Sequence, residues 1–166
     1  MQRLWSPWRF SYVSNKPGSE GCIFCTAAEP AREPEAPSLV LARGRLSYVV
    51  LNLYPYNNGH LMVVPNRHIA SLAATSDAEL DEIMRFVRDG EIALGEAYHP
   101  QGINVGINLG QSAGAGIADH LHVHLVPRWT GDTNFMSVIG ETRVLPEDLD
   151  ETARRLRPIL ARLRRS

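Results

Sequence analysis

Apolar residues change their period several times along the chain, and each change marks an element. Ser38 to Ala42 and Leu46 to Leu53 are rich in Val, Leu and Tyr, with Arg43-Gly44-Arg45 between them as a hairpin signal. Pro55-Tyr56-Asn57-Asn58-Gly59 makes the next turn, since Asn and Gly tolerate positive φ, and His60 to Pro65 is predicted as a third strand. Ser76-Asp77-Ala78-Glu79 has the spacing of a capping box, in which the serine oxygen and the glutamate satisfy free N–H groups at a helix start. Leu80, Ile83, Met84, Val87 and Leu94 then recur at helical spacing, predicting a helix from about Asp77 to Tyr98 that is irregular near Gly90. Gly102 to Leu109 and His120 to Val126 are predicted as two more strands, joined by the glycine-rich stretch Gly110 to Gly116. From Pro146 onward, Leu149, Ala153, Leu156, Leu160 and Leu163 recur every three or four residues, the signature of a terminal amphipathic helix. Strands, one long helix, further strands and a closing helix predict an α+β fold with a mainly antiparallel sheet of about five strands.

Length and composition narrow the class. A chain of 166 residues suits one domain, here an arm over residues 1–37, a core over 38–135 and a helical segment over 136–166. With 44% hydrophobic and 21% charged residues it belongs with globular chains, not disordered, collagen-like or membrane-spanning ones. Glu29 to Pro37 is a polar loop punctuated by prolines, which lack an N–H and resist regular pairing. No apolar run approaches the ~20 residues that span a bilayer, and Met1 to Trp5 lacks the apolar core of a signal peptide. A cytoplasmic protein with neither membrane nor nucleic-acid partners is therefore expected. The net charge of −1 hides a local asymmetry, because six arginines lie between Arg154 and Arg165. They read either as a solvated helix face or as an anion-binding surface.

Three features carry chemistry. In His120-Leu121-His122-Val123-His124 a strand's alternation sends the three imidazoles to one face, about 7 Å apart, and the apolar residues to the other. Imidazoles need polar partners and make poor core material, so a functional site, a tris-imidazole metal site and chance surface histidines are the readings open. Cys22-Ile23-Phe24-Cys25 holds both cysteines of the chain, and in a cytosolic protein such a pair suits metal binding, thiol redox chemistry or coincidence better than a structural disulfide. The stretch from Asn108 to Gly116 has glycines that would let backbone N–H groups approach a phosphate, with Asn108, Ser112 and Gly114 as contributors.

The spaced histidines followed by Leu125-Val126, with Asn52 eight residues before the histidine of Gly59-His60, resemble the histidine triad nucleotide hydrolases and transferases. The likeness runs from about Cys22 to Arg128 and continues more weakly to Phe135. The branch it resembles most cleaves diadenosine polyphosphates. The resemblance implies that His122 is the nucleophile, attacking the α-phosphorus without need of a metal and forming a nucleotidyl-histidine. It places His124 and His60 beside the phosphate oxygens, and Asn52 against the ribose. It also implies one structural zinc per chain, held by Cys22, Cys25, His68 and His120 in a closed tetrahedral site. The substrate implied is an adenine dinucleotide, with phosphorolysis of diadenosine tetraphosphate to ADP and ATP as the favoured outcome. Hydrolysis to AMP, cleavage of phosphoramidates, and a catalytically silent nucleotide-binding protein are the alternatives. Members commonly carry Gln, Ser or Thr just before the triad, whereas this chain has Gly116-Ile117-Ala118-Asp119, which leaves water and inorganic phosphate both open as second acceptor. Homodimers are the rule in such a family, and an exposed apolar stripe on the terminal helix would be one surface for pairing.

Overall fold

The computed structural model describes residues 21–29, 38–132 and 147–165. Most of the expected arm, the loop 30–37 and the segment 133–146 lie outside the described residues. The elements are α1 (Ile23–Ala28), β1 (Val40–Arg43), β2 (Ser47–Leu51), β3 (Leu61–Pro65), α2 (Asp77–Tyr98), β4 (Gly102–Ile107), β5 (Val123–Arg128) and α3 (Leu149–Leu163). The five strands form one sheet in the order β1-β2-β3-β5-β4, and every neighbouring pair is antiparallel. The α+β architecture read from the sequence is the observed one.

β2 and β3 are buried along their whole length because the sheet is covered on both faces, which explains apolar runs without alternation. On one face Val49, Leu51, Leu61, Val63, Val123 and Leu125 pack against α2 and α3. On the other, Tyr48, Val50, Met62 and Val64 pack with Phe24 of α1. The triad shares this second face, since His124 stands opposite Met62 on β3 and Gly106 on β4.

α2 starts on the expected capping box, with Ser76 and Glu79 bonded reciprocally. The Arg67 guanidinium and the Ser76 amide hold the Glu79 carboxyl down to about 2. No irregularity occurs at Gly90: a Cβ there would lie 2.9 Å from Leu125 Cδ2, so this glycine lets the helix settle onto the sheet. Gly44 works similarly in the β1–β2 turn. Its missing side chain makes room for the Glu82 carboxylate, which accepts from the Leu46 and Ser47 amides at 2.9 and 2.8 Å.

The terminal helix corrects one expectation. Ala153, Leu156 and Leu160 are buried in the chain's own core, so the apolar stripe of α3 is not an exposed surface for pairing. The helix runs through Pro158, which faces solvent, because Leu156 and Leu160 on the opposite face anchor it on both sides. The arginines of its polar face are largely engaged within the chain: Arg155 bonds Glu147 and Glu151, Arg162 bonds Glu96, and Arg157 and Arg164 donate to the carbonyls of Ser38 and Arg43. Among the described residues no helix is long and apolar enough to cross a membrane.

Candidate active site

The strand expected from His120 begins only at Val123. β3 ends at Pro65, which has no N–H to continue the ladder, so the incoming chain finds other partners. The Leu121 amide donates to the Ile69 carbonyl at 2.6 Å, and His120 Nε2 lies 2.9 Å from the Pro65 carbonyl. The triad thus straddles the start of β5. His120 and His122 are only 1% and 5% exposed, and His60, expected to begin the third strand, is just outside it and 1% exposed.

Hydrogen-bond partners decide which nitrogen of each ring carries the proton. His120 Nε2 faces a carbonyl, so it is protonated and Nδ1 keeps its lone pair. His122 Nδ1 sits 2.8 Å from the His120 carbonyl, so it donates there and Nε2 keeps the lone pair. His60 Nδ1 faces two donors, the Tyr56 amide at 3.1 Å and Asn52 Nδ2 at 3.3 Å. The Asn52 amide cannot flip, because its Oδ1 accepts from the Tyr54 amide at 3.0 Å. His60 therefore carries its proton on Nε2 and donates it to His124 Nδ1 at 3.0 Å, which leaves the His124 proton on Nε2. A lone pair on His122 and an N–H on His124 then belong to rings whose centres are 4.8 Å apart.

Burial keeps this arrangement uncharged. It pushes the His122 imidazole below its ordinary value, and burial together with the neighbouring His122 pushes His124 down to about 4. Both rings are neutral at pH 7.

Beside His124 lies a cavity of about 360 Å³ bordered by Tyr56, Asn104, Gly106, Asn108 and Arg128. Gly106, opposite His124, has nothing within 4 Å of where a Cβ would be, so the space beside the ring stays open. Of the expected phosphate-loop residues, Asn108 lines this cavity. Ser112 sits exposed in a 3-10 turn, and the Gly114 amide, at φ +89°, donates to the Gln111 carbonyl at 3.0 Å. Ile117 departs from a polar residue for a local reason: it packs against the apolar cluster around Phe24 and Tyr48.

A second cluster lies at the other end of the triad. One ligand atom each from Cys22, Cys25, His68 and His120 falls within 4.8 Å of the others. His120 Nδ1 is 3.3 Å from Cys22 Sγ and 3.6 Å from Cys25 Sγ, and His68 Nδ1 is 3.3 Å from Cys25 Sγ. A tetrahedron with bonds of about 2.0 Å to nitrogen and 2.3 Å to sulfur has N–S edges of about 3.5 Å. The Pro65 carbonyl occupies the far nitrogen of His120, so Nδ1 is aimed at the thiols. These four residues can hold a metal ion. Phe24, between the cysteines, packs its ring on His120 and His122 with centroids 5.4 and 5.1 Å away, joining this cluster to the triad.

Several residues of the site carry no assigned role in the sequence pattern. Tyr56 lies beside His60 with ring centroids 4.8 Å apart, and Asn57, Arg128 and Asp132 form a polar network at the cavity's edge. Tyr56 and Asn57 were visible as part of a turn between Asn52 and His60, but nothing in that motif shows that a backbone amide points at an imidazole.

Imidazoles with fixed tautomers along one face of an antiparallel sheet define a histidine triad protein. Residues 33–131 match the model of the HIT domain, and the chain belongs to that family. It is 45% identical over 161 residues, covering 94% of this chain and 83% of the relative, to AP-4-A phosphorylase from Mycobacterium tuberculosis. Among solved structures it is similar to a zinc-bound histidine triad family protein from Mycobacterium smegmatis, with a TM-score of 0.65 and 28% identity over 89% of this chain and 99% of the other. A hypothetical histidine triad nucleotide-binding protein from Sulfolobus tokodaii has a TM-score of 0.68 and 25% identity over 87% of this chain and 95% of the other.

Proposed function

We propose that this chain cleaves dinucleoside polyphosphates by nucleotidyl transfer, converting diadenosine tetraphosphate and inorganic phosphate to ADP and ATP. The observation that carries this is the His122 ring, whose Nδ1 proton is taken by the His120 carbonyl so that a neutral Nε2 lone pair remains. That nitrogen attacks the α-phosphorus, the bond from phosphorus to the bridging oxygen breaks, and ATP departs. An oxygen of inorganic phosphate then displaces the histidine from phosphorus and yields ADP. The Nε2–H of His124, oriented by His60, donates to the oxygens on which charge collects. Asn52 retains one N–H and one lone pair for a ribose hydroxyl after its bonds to His60 and Tyr54. Asn108, Ser112 and Gly114 are assigned to the phosphate chain, with Asn108 the best placed. The 45% identity to AP-4-A phosphorylase supports the choice of substrate and acceptor.

Cys22, Cys25, His68 and His120 hold one structural zinc in this proposal, supported by their donor set and by the zinc-bound relative. The four protein ligands complete a tetrahedron, so the ion supplies stability and the chemistry stays with the imidazoles. The active form is assigned as a cytoplasmic homodimer of this domain, without nucleic-acid or membrane partners.

Hydrolysis is a second reading, because the stretch Gly116-Ile117-Ala118-Asp119 before the triad leaves water and inorganic phosphate both open as second acceptor. Incubation with diadenosine tetraphosphate, with and without inorganic phosphate, separates the readings. ADP plus ATP formed only with phosphate is the expected result. AMP plus ATP without phosphate would mean hydrolysis, and tight binding without products would make the chain a silent nucleotide-binding protein.

A further inference from the structure

Arg128 borders the cavity beside His124 and at first sight resembles a clamp for the phosphate chain. Three of its five N–H groups are already engaged within the chain. Nε and Nη2 are bonded to the two Asp132 oxygens at 2.5 and 2.9 Å, and Nη1 donates to Asn104 Oδ1 at 2.8 Å. The guanidinium holds the Asp132 carboxyl well below the usual carboxylate range, so the pair is charged and mutually compensated at neutral pH.

The carboxylate has a further partner. Asp132 Oδ2 accepts from Asn57 Nδ2 at 2.9 Å and from the Trp129 amide at 3.2 Å, and Asn57 Nδ2 also lies 2.9 Å from the Pro127 carbonyl. The side chain of Asn57 is thereby pinned to the end of β5. Its backbone belongs to the turn that governs His60: the Asn57 carbonyl accepts the His60 amide at 3.2 Å, and the adjoining Tyr56 amide donates to the His60 ring at 3.1 Å.

We propose that Asp132 is a positioning residue for nucleotidyl transfer, holding the Tyr56-Asn57 turn through Asn57 so that His60 keeps the tautomer that donates to His124. The proposal rests on the role assigned above to His60 and His124 at the phosphate. Asp132 borders the cavity and acts here through Asn57. Its effect travels through three hydrogen bonds, from Asn57 Nδ2 to the carboxylate, from the turn amide to His60 Nδ1 and from His60 Nε2 to His124 Nδ1, and so reaches the ring assigned above to the phosphate oxygens. Lost orientation of this kind acts on the transition state more than on ground-state binding.

The test uses the full chain with 15N-labelled histidine. Ring-nitrogen spectra of the substrate-free protein report tautomers directly. The wild type is expected to show Nε2–H forms for His60 and His124 and an Nδ1–H form for His122. Asp132→Ala and Asn57→Ala should each move the His60 nitrogens toward tautomer averaging. Each should also lower kcat for the dinucleotide about tenfold while KM changes little, and the double variant should be no worse than either single one. Asp132→Asn, which keeps an oxygen for Asn57, should retain most of the wild-type rate and spectrum, and serves if the alanine variant folds poorly. Unchanged His60 nitrogens in Asp132→Ala and Asn57→Ala overturn the coupling, as does a pure KM effect. A wild type that cleaves no dinucleoside polyphosphate overturns the functional reading instead, because the spectra need no substrate.

Discussion

At the scale of single residues, the imidazoles differ in which nitrogen already has a partner within the chain. His122→Ala removes the Nε2 lone pair proposed to attack phosphorus, and kcat should fall roughly 10⁴-fold or more while nucleotide affinity stays within a few-fold. Single-turnover rates and equilibrium binding measure the two, and retained turnover would move the nucleophile elsewhere. The pH profile is a second check at this scale. His124 is pushed below its ordinary value, to about 4, so its neutral form survives as pH falls through 6.5 and is lost near 4. His122 is lowered as well, so the acid limb of kcat should lie below pH 6.5, with zinc content followed alongside. A limb at 6.5 would mean that the ring is solvated. By the same sign, protonation favours the unfolded chain, so stability drawn from burying this ring is full above 6.5 and declines below it. The histidine spacing was plain in the sequence, whereas the tautomers depend on the Pro65 carbonyl and the Tyr56 amide, which spacing does not display.

At the scale of elements, local signals were accurate where capping chemistry dominates. α2 spans Asp77–Tyr98, as the capping box and apolar period predict. Strand ends were less legible because side chains and proline terminate them. The Asn52 side chain turns the chain just after β2, and Pro65 stops the ladder before His122. α3 shows how an amphipathic pattern leaves its partner unstated. Its stripe suits a second copy of the chain as well as the chain's own sheet, and the structure seats it on the sheet. Leu156→Ala should accordingly lower unfolding free energy by roughly 2–5 kcal/mol in denaturant titrations, without changing the oligomeric state seen by light scattering. A variant that dissociates with its stability intact would return the stripe to an interface.

At the scale of the molecule, the cluster of Cys22, Cys25, His68 and His120 ties three distant parts of the chain together: α1 with its N-cap, the loop after β3 and the approach to β5. Cys22→Ala should remove stoichiometric zinc and about 2 kcal/mol or more of stability together, measured by metal analysis and thermal unfolding, because binding and folding are linked. A metal-free wild type indifferent to chelator would contradict the zinc proposal. Such a loss should also reach the triad, since Phe24 packs on both His120 and His122. Periodicity, caps and the spaced histidines by themselves determined α2, α3, the antiparallel sheet and the imidazoles of the triad, because these depend on neighbours a few positions apart. Only the tertiary structure decided that Ala153, Leu156 and Leu160 face inward, that Gly106 borders a cavity and that Asp132 is bonded to Asn57 in the turn before His60. Each of those depends on which backbone groups and side chains meet across the fold, and that is a property of packing.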